Sequence, residues 1–250
     1  MICKKEMTRV YFAFMKKYVM PGACKCDIEK MEKEEEEQER KMRRSMMERT
    51  YKGSIMNERL KTASFDNFEL RRGTELCLTE SRNFAEQFEN RTDGLLMFGK
   101  PGNGKSHLLA AIHHVLDAKG YVSLFLDVSQ LFNIAKDTYK SSSKVSLTDI
   151  ITAAIDCDLL TLDELGSGVL TEYEFNDILF PIINGRQGKK TNYTSNLDIP
   201  RLNQWFSFGK KGEPLDVDGR LIDRIIGSSV IMENHGTSKR QEDAMKRMNA

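Results

Sequence analysis

Read from its amino end, the chain changes character at about Thr62. Beyond that point, short unbroken apolar runs alternate with longer stretches in which apolar residues return every three or four positions. The first pattern suits strands buried on both faces, and the second suits amphipathic helices. On this reading strands cover 94–98, 122–126, 159–162 and 191–195, and helices cover 74–89, 105–118, 129–138, 147–155 and 172–184. Strands alternating with helices predict an α/β domain, with a central parallel sheet and helices on both faces. Sheets of this kind bind ligands at the carboxyl ends of their strands.

The chain before Thr62 reads differently. Residues 27–50 are a dense run of charge with almost no apolar stripe, in which Glu-to-Lys and Glu-to-Arg pairs three and four apart favour helix. The acidic half comes first and the basic half (Arg40, Lys41, Arg43, Arg44) second, which suits the helix dipole. This run is either a solvated connecting helix or a binding element, and nothing in it could bury a core face alone. Further upstream, Val10–Phe14 and Tyr18–Met20 make a candidate hairpin that leads to Cys24-Lys-Cys26. The expected organisation is therefore a cysteine-bearing segment over 1–26, a charged helical linker over 27–61 and the α/β domain over 62–250.

Composition narrows this picture. A chain of 250 residues can hold one sizeable core and an appendage. Its net charge of +1 gives no global basic field of the kind that advertises a nucleic-acid binder, so any such contact must be local. No apolar stretch approaches a membrane span, and the start lacks the small-residue cleavage site of a signal peptide, so a soluble cytoplasmic protein is expected. Five cysteines without export features argue against disulfides. Cys77 and Cys157 sit in apolar surroundings and read as core. Cys3, Cys24 and Cys26 resemble a zinc ribbon short of one ligand, since structural zinc normally takes four. The fourth would be Asp27, a partner's residue or one outside this sequence; the other reading is a degenerate ribbon of reduced thiols.

The most specific chemistry lies at Gly99-Lys-Pro-Gly-Asn-Gly-Lys-Ser106, a full G-x-x-x-x-G-K-S loop between a predicted strand and a predicted helix. Its glycines let main-chain N–H groups turn inward onto phosphate oxygens. Lys105 reaches the β- and γ-phosphates, and the Ser106 hydroxyl meets Mg²⁺. The candidate contacts to ATP are thus Gly99, Pro101, Gly102, Asn103, Gly104, Lys105, Ser106 and His107, at a helix N-terminus that itself favours anions. Two strands on, Leu159-Leu-Thr-Leu-Asp163-Glu164 would deliver Asp163 to the metal beside Ser106 and Glu164 to an attacking water. Asn196, just past the strand 191–195, could hold that water near the γ-phosphate, although asparagine is also a common turn former. Arg220 and Arg224, four apart on one helical face, and Arg240 are either surface salt-bridge partners or charge stabilisers for a phosphoryl group, the latter supplied by a neighbouring subunit. Lys136, Tyr139, Lys140 and Lys144, amid Ser141-Ser-Ser143, mix charge with an aromatic ring as single-strand binding surfaces do, and as a solvated loop does.

Taken in order, several stretches between about Lys25 and Arg240 give the chain a resemblance to the DnaC/DnaI family of bacterial and phage replicative helicase loaders, which are AAA+ ATPases. They are Cys24-Lys-Cys26 running into the charged helix, Ser64-Phe-Asp-Asn-Phe68, the loop Gly99–Ser106, Leu162-Asp-Glu-Leu-Gly166, Thr194-Ser-Asn-Leu197, Gly219-Arg-Leu-Ile-Asp-Arg224 and Gly236–Arg240. None is unique to the family; their order and spacing together are specific.

The resemblance implies an AAA+ P-loop NTPase fold with Lys105 and Ser106 as Walker A residues, Asp163 and Glu164 as Walker B and Asn196 as sensor 1. Arg224 is implied as the arginine finger acting in trans, with Arg220 the weaker claimant, and Arg240 as sensor 2. It also implies that the region 1–60 grips a hexameric replicative helicase. The ATPase domain would self-associate and contact single-stranded DNA, using ATP and Mg²⁺ and, at the ribbon, Zn²⁺. Two positions depart from the family pattern. Many relatives carry Asp-Asp where this chain has Asp163-Glu164, and the C-x-x-C of the ribbon is reduced here to Cys3. A transposition helper of the IstB type shares the AAA+ core and acts on a transposase and duplex DNA; an idle adaptor and a small-molecule kinase fit the intact acids and late arginines less well.

Overall fold

The computed structural model describes residues 11–12, 17–18, 25–51, 56, 58–140 and 142–248. The chain divides into two compact units, 1–45 and 46–250. In the first, β1 (Tyr11–Phe12) pairs antiparallel with β2 (Lys17–Tyr18), and the helix α1 (Lys25–Tyr51) begins. Cys26 is exposed near the start of α1, whereas Cys3 and Cys24, the rest of the expected zinc set, lie outside the described residues. Among the described residues no group of three or more His, Cys, Asp or Glu side chains is arranged to hold a metal ion. No described helix is long and apolar enough to cross a membrane.

The second unit is built on a five-stranded sheet of β3 (Gly94–Phe98), β4 (Ser123–Asp127), β5 (Leu159–Leu165), β6 (Thr191–Ser195) and β7 (Ser229–Glu233). The strand order is β4-β5-β6-β3-β7, and every neighbouring pair is parallel. The expected parallel α/β sheet is therefore present. The apolar runs behave as the pattern requires, with Leu95, Leu96, Met97, Leu124, Leu126, Leu160 and Leu162 fully buried between two helical layers. One layer contains α2 (Glu75–Glu86) and α3 (Lys105–Ala118). The other contains α4 (Val128–Asp137), α5 (Leu147–Asp156), α6 (Phe180–Gly185), α7 (Ile199–Ser207) and α8 (Arg220–Gly227). Local chemistry sets the helix starts. Asp127 ends β4 and caps α4 by accepting from Gln130 N at 2.9 Å, Ser146 and Asp149 form a reciprocal capping box on α5, and Asp198 caps α7.

Three features depart from the spacing-based expectation. The helix expected over 172–184 opens with a π-helical stretch, Glu174–Leu179, before α6. A fifth strand, β7, closes the sheet beside β3. The charged run is also not solvated to its end: Met47, Thr50 and Tyr51, on the last turns of α1, are buried, and Tyr51 Oη donates to Ile150 O in α5 at 2.7 Å. Tyr51 packs within the same core as Leu160 and Ile178, so these turns bury apolar surface that the surrounding charge hides from a periodicity reading.

His113, on α3, shows how the interior handles a polar side chain. It is fully buried, with Nδ1 against Ser123 Oγ at 2.7 Å and Nε2 against Thr161 Oγ1 at 2.8 Å. Burial pulls its pKa down to about 3, so the ring is neutral and works as a two-ended strut between helix and sheet.

Candidate functional site

The loop that follows β3 turns through two glycines in left-handed conformations, Gly102 (φ 79°) and Gly104 (φ 100°), before α3 starts at Lys105. Neither position has room for a side chain. A Cβ would run into the Ser238 side chain at Gly102 and come within 2.6 Å of the Phe68 ring at Gly104, and the positive φ at both disfavours any side chain. The loop is thus closed from outside by two distant segments, one around Phe68 and one around Ser238. Together with the loop they line a cavity of about 330 Å³ that includes Asn67, Phe68, Arg71, Lys105, Ser106 and Arg240. That volume falls in the range of small-molecule sites.

Inside the cavity Lys105 is nearly buried, and the three N–H groups of its Nζ are shared among four acceptors, Gly99 O (2.8 Å), Lys100 O (3.0 Å), Asn103 Oδ1 (3.2 Å) and Asn196 Oδ1 (3.0 Å). All four acceptors are neutral. Burial pulls the ammonium down to about 8, against the attraction of Asp163 and Glu164. A cation this poorly solvated is matched to a polyanion. Arg71 and Arg240 add positive charge to the same lining.

The acidic side of the site comes from β5. Asp163 is buried and accepts from Ser106 Oγ at 2.8 Å and from Thr194 Oγ1. Burial pushes its pKa up to about 6 while the two hydroxyls hold it down. Consecutive strand residues ordinarily face opposite sides of a sheet. Here the β5–β6 register shifts between Leu162 and Leu165, and Glu164 takes φ 63°, the only described non-glycine residue with positive φ. Such a conformation costs about 1–2 kcal/mol in an ordinary residue. It is held by a hydrogen bond from Glu164 N to Thr194 Oγ1 at 2.9 Å, and the bulge turns Glu164 to the cavity that Ser106 also lines. Because β6 lies between β3 and β5, its tip serves both: Thr194 fastens the acids and Asn196 meets the lysine.

Of the residues expected to contact nucleotide, Pro101, Gly102, Asn103, Gly104, Lys105, Ser106, His107, Glu164, Asn196 and Arg240 line this one cavity. Gly99 contributes its carbonyl to Lys105, and Asp163 reaches the site through Ser106. His107 is engaged as well, with Nε2 against Ser64 O at 2.9 Å and its ring 5.4 Å from that of Phe68. Ser106 and Asp163 bring a hydroxyl and a carboxylate oxygen together, the donor type that a hard cation takes.

Arg224 does not line the cavity. It is half-buried on α8 with its guanidinium 5.4 Å from the Phe180 ring centroid, and its buried Nη1 has no hydrogen-bond partner. Arg220 is exposed and lies 3.6 Å from Asp216, the buried carboxylate that also caps α8. In the suggested single-strand surface, Lys136 is paired with Glu174 and Lys140 with Asp137, each at 2.6 Å, while Tyr139 is 71% exposed beside Tyr173.

Two site residues escaped the sequence reading. Asn234, just past β7, is buried and accepts at its carbonyl from Asn103 Nδ2 at 2.7 Å. Arg71 bonds to the loop and to the carboxyl-terminal segment. Neither carries a local signal, because the partners are more than a hundred residues away or belong to a different element.

Comparison with known proteins follows the same lines. The family model for IstB-like ATP binding proteins matches residues 23–247. The replicative helicase loader DnaC of Buchnera aphidicola subsp. Acyrthosiphon pisum (strain APS) is 30% identical over 199 residues, spanning 78% of this chain and 76% of that protein. DnaC of Escherichia coli (strain K12) is 31% identical over 152 residues, which cover 60% of this chain and 61% of its own length. Among solved structures, that of DnaI matches with a TM-score of 0.61 at 23% identity, covering 74% of this chain and 95% of the other, and so shares its fold.

Proposed function

The chain belongs to the IstB-like ATP-binding protein family, and we propose that within it this protein is an ATP-dependent loader that grips a replicative DNA helicase and helps place it on single-stranded DNA. The observation that carries the ATP-dependent part is the convergence of Lys105, Ser106, Glu164 and Asn196 on one cavity at the carboxyl edge of the sheet, with Asp163 bonded to Ser106. The named relatives carry the rest.

In this reading the loop amides and Lys105 bind the triphosphate at the start of α3. Ser106 and Asp163 would hold Mg²⁺, which neutralises charge on the phosphates when bound. Glu164 takes a proton from the attacking water, and Asn196 orients it. Arg240 reaches the nucleotide from the same chain, and Arg224 reaches that of a neighbouring copy. Residues 1–60 act as the helicase-gripping arm and 62–250 as the ATPase, in the cytoplasm of a bacterium or a phage-infected cell. Nucleotide state then governs assembly and release.

The direct test is size-exclusion chromatography of the full chain with a hexameric replicative helicase, with and without ATP and Mg²⁺. Co-elution that depends on nucleotide is expected. Co-elution with a transposase instead would move the protein to the transposition-helper class. A Glu164→Gln variant should bind ATP normally and turn it over about 100-fold more slowly, the scale of a lost general base. Unchanged turnover in that variant would make ATP a structural ligand only.

A further inference from the structure

We infer that Arg71 is a positioning residue that holds the carboxyl-terminal segment 234–240, and through it Arg240, over the phosphate loop. The inference rests on reading the cavity as a nucleotide site. Arg71 spans the two elements directly: Nη2 donates to Asn103 O in the loop at 2.9 Å and Nη1 to Thr237 O at 2.7 Å. Three residues beyond Thr237 comes Arg240, which lines the cavity near the start of α9 (Lys239–Met248).

Several features indicate that the segment depends on this bridge. Helix α9 has no buried residue of its own, so packing does not fix it. Its side-chain ties, Lys239 to Glu69 and Asp243 and Thr237 to Glu242, are exposed and contribute little. The other ties of the segment's main chain are Asn234 N to Phe98 O (2.8 Å), Asn103 Nδ2 to Asn234 O (2.7 Å) and His235 N to Gly73 O (3.2 Å), all at its far end, and Lys239 N to Gly102 O at 3.0 Å, so residues 236–238 between them are spanned by Arg71. Arg71 supplies the charge-assisted bond between them. Both acceptors of Arg71 are neutral carbonyls, and it makes no ion pair among the described residues. Its Nε is buried without a partner. Each Nη thus commits an N–H to joining the loop to the carboxyl-terminal segment.

The fork matters as much as the charge. A guanidinium reaches two carbonyls in fixed geometry; an ammonium is a point charge and does not. Hydrogen–deuterium exchange on the full chain without nucleotide should therefore show amides of 236–241 exchanging about tenfold faster in both Arg71→Ala and Arg71→Lys, with Arg72→Ala, altered at an exposed neighbour, as the control. ATP affinity should also fall about tenfold in both Arg71 variants, and the loss should vanish when Arg71→Ala is made in an Arg240→Ala background, because the first residue acts through the second. Wild-type protection of the segment in Arg71→Ala, full rescue by Arg71→Lys, or additive losses in the double variant would each overturn the inference. The exchange arm needs no nucleotide, so failure of the wild-type chain to bind ATP would count against the proposed function and leave the Arg71 test standing.

Discussion

Lys105→Ala is expected to abolish ATP binding, with affinity measured by isothermal titration falling more than 100-fold. The magnitude follows from the site rather than from the motif. Lys105 sits nearly buried among neutral oxygens, and burial already draws its pKa to about 8, so the ammonium is under-solvated and gains strongly from a phosphate charge. Removing it leaves a buried polyphosphate without its nearest cation, a loss of about 3–5 kcal/mol for a broken buried pair. Stability should change much less, because the same desolvation disfavours the charged lysine in the folded chain. A thermal melt therefore separates lost binding from lost fold. Unaltered ATP affinity in this variant would remove the assignment on which the ATPase reading depends.

The loop was legible because its chemistry forces residue types at fixed spacing in one short stretch. The same holds for Asp163, whose preceding apolar run marks a buried strand ending at the site. What surrounds the loop was not legible. Phe68 packs on Gly104 and Ser238 on Gly102, and those meetings depend on tertiary path. Strand β7 was missed for a local reason. It is an edge strand in which only Met232 is buried, so its pattern is weak, and it follows the apolar stripe of α8 after only Gly227 and Ser228. Missing β7 meant missing Asn234, which β7 carries to the loop. Glu164 was assigned to the site by its position after Asp163. The means of bringing both acids there, a bulge with a left-handed glutamate held by Thr194, is visible only in the backbone. Met47 and Tyr51 were obscured in the opposite way, as apolar residues in a stretch dominated by charge.

Arg224→Ala should leave ATP binding by the isolated chain intact and lower hydrolysis in the assembled state about 1,000-fold, the low end for a lost arginine finger. Arg220→Ala is the paired measurement, and the two side chains differ in where their charge is committed. Arg220 lies 3.6 Å from Asp216 and is exposed, so its charge is already answered within its own chain. Arg224 has no carboxylate partner among the described residues, rests on the face of Phe180 and keeps a buried Nη1 without a hydrogen bond. In the proposed assembly Arg224 is the arginine offered to a neighbour's nucleotide, because its charge is not committed to a carboxylate of its own chain and it does not line that chain's cavity. Turnover should therefore depend steeply on protein concentration in the wild type and lose that dependence in Arg224→Ala. Mixing Arg224→Ala with a Lys105→Ala chain provides the decisive arm, since each supplies what the other lacks: activity should reappear at their shared junctions. Full turnover in assembled Arg224→Ala, or a loss found in Arg220→Ala alone, would take the finger role away from Arg224.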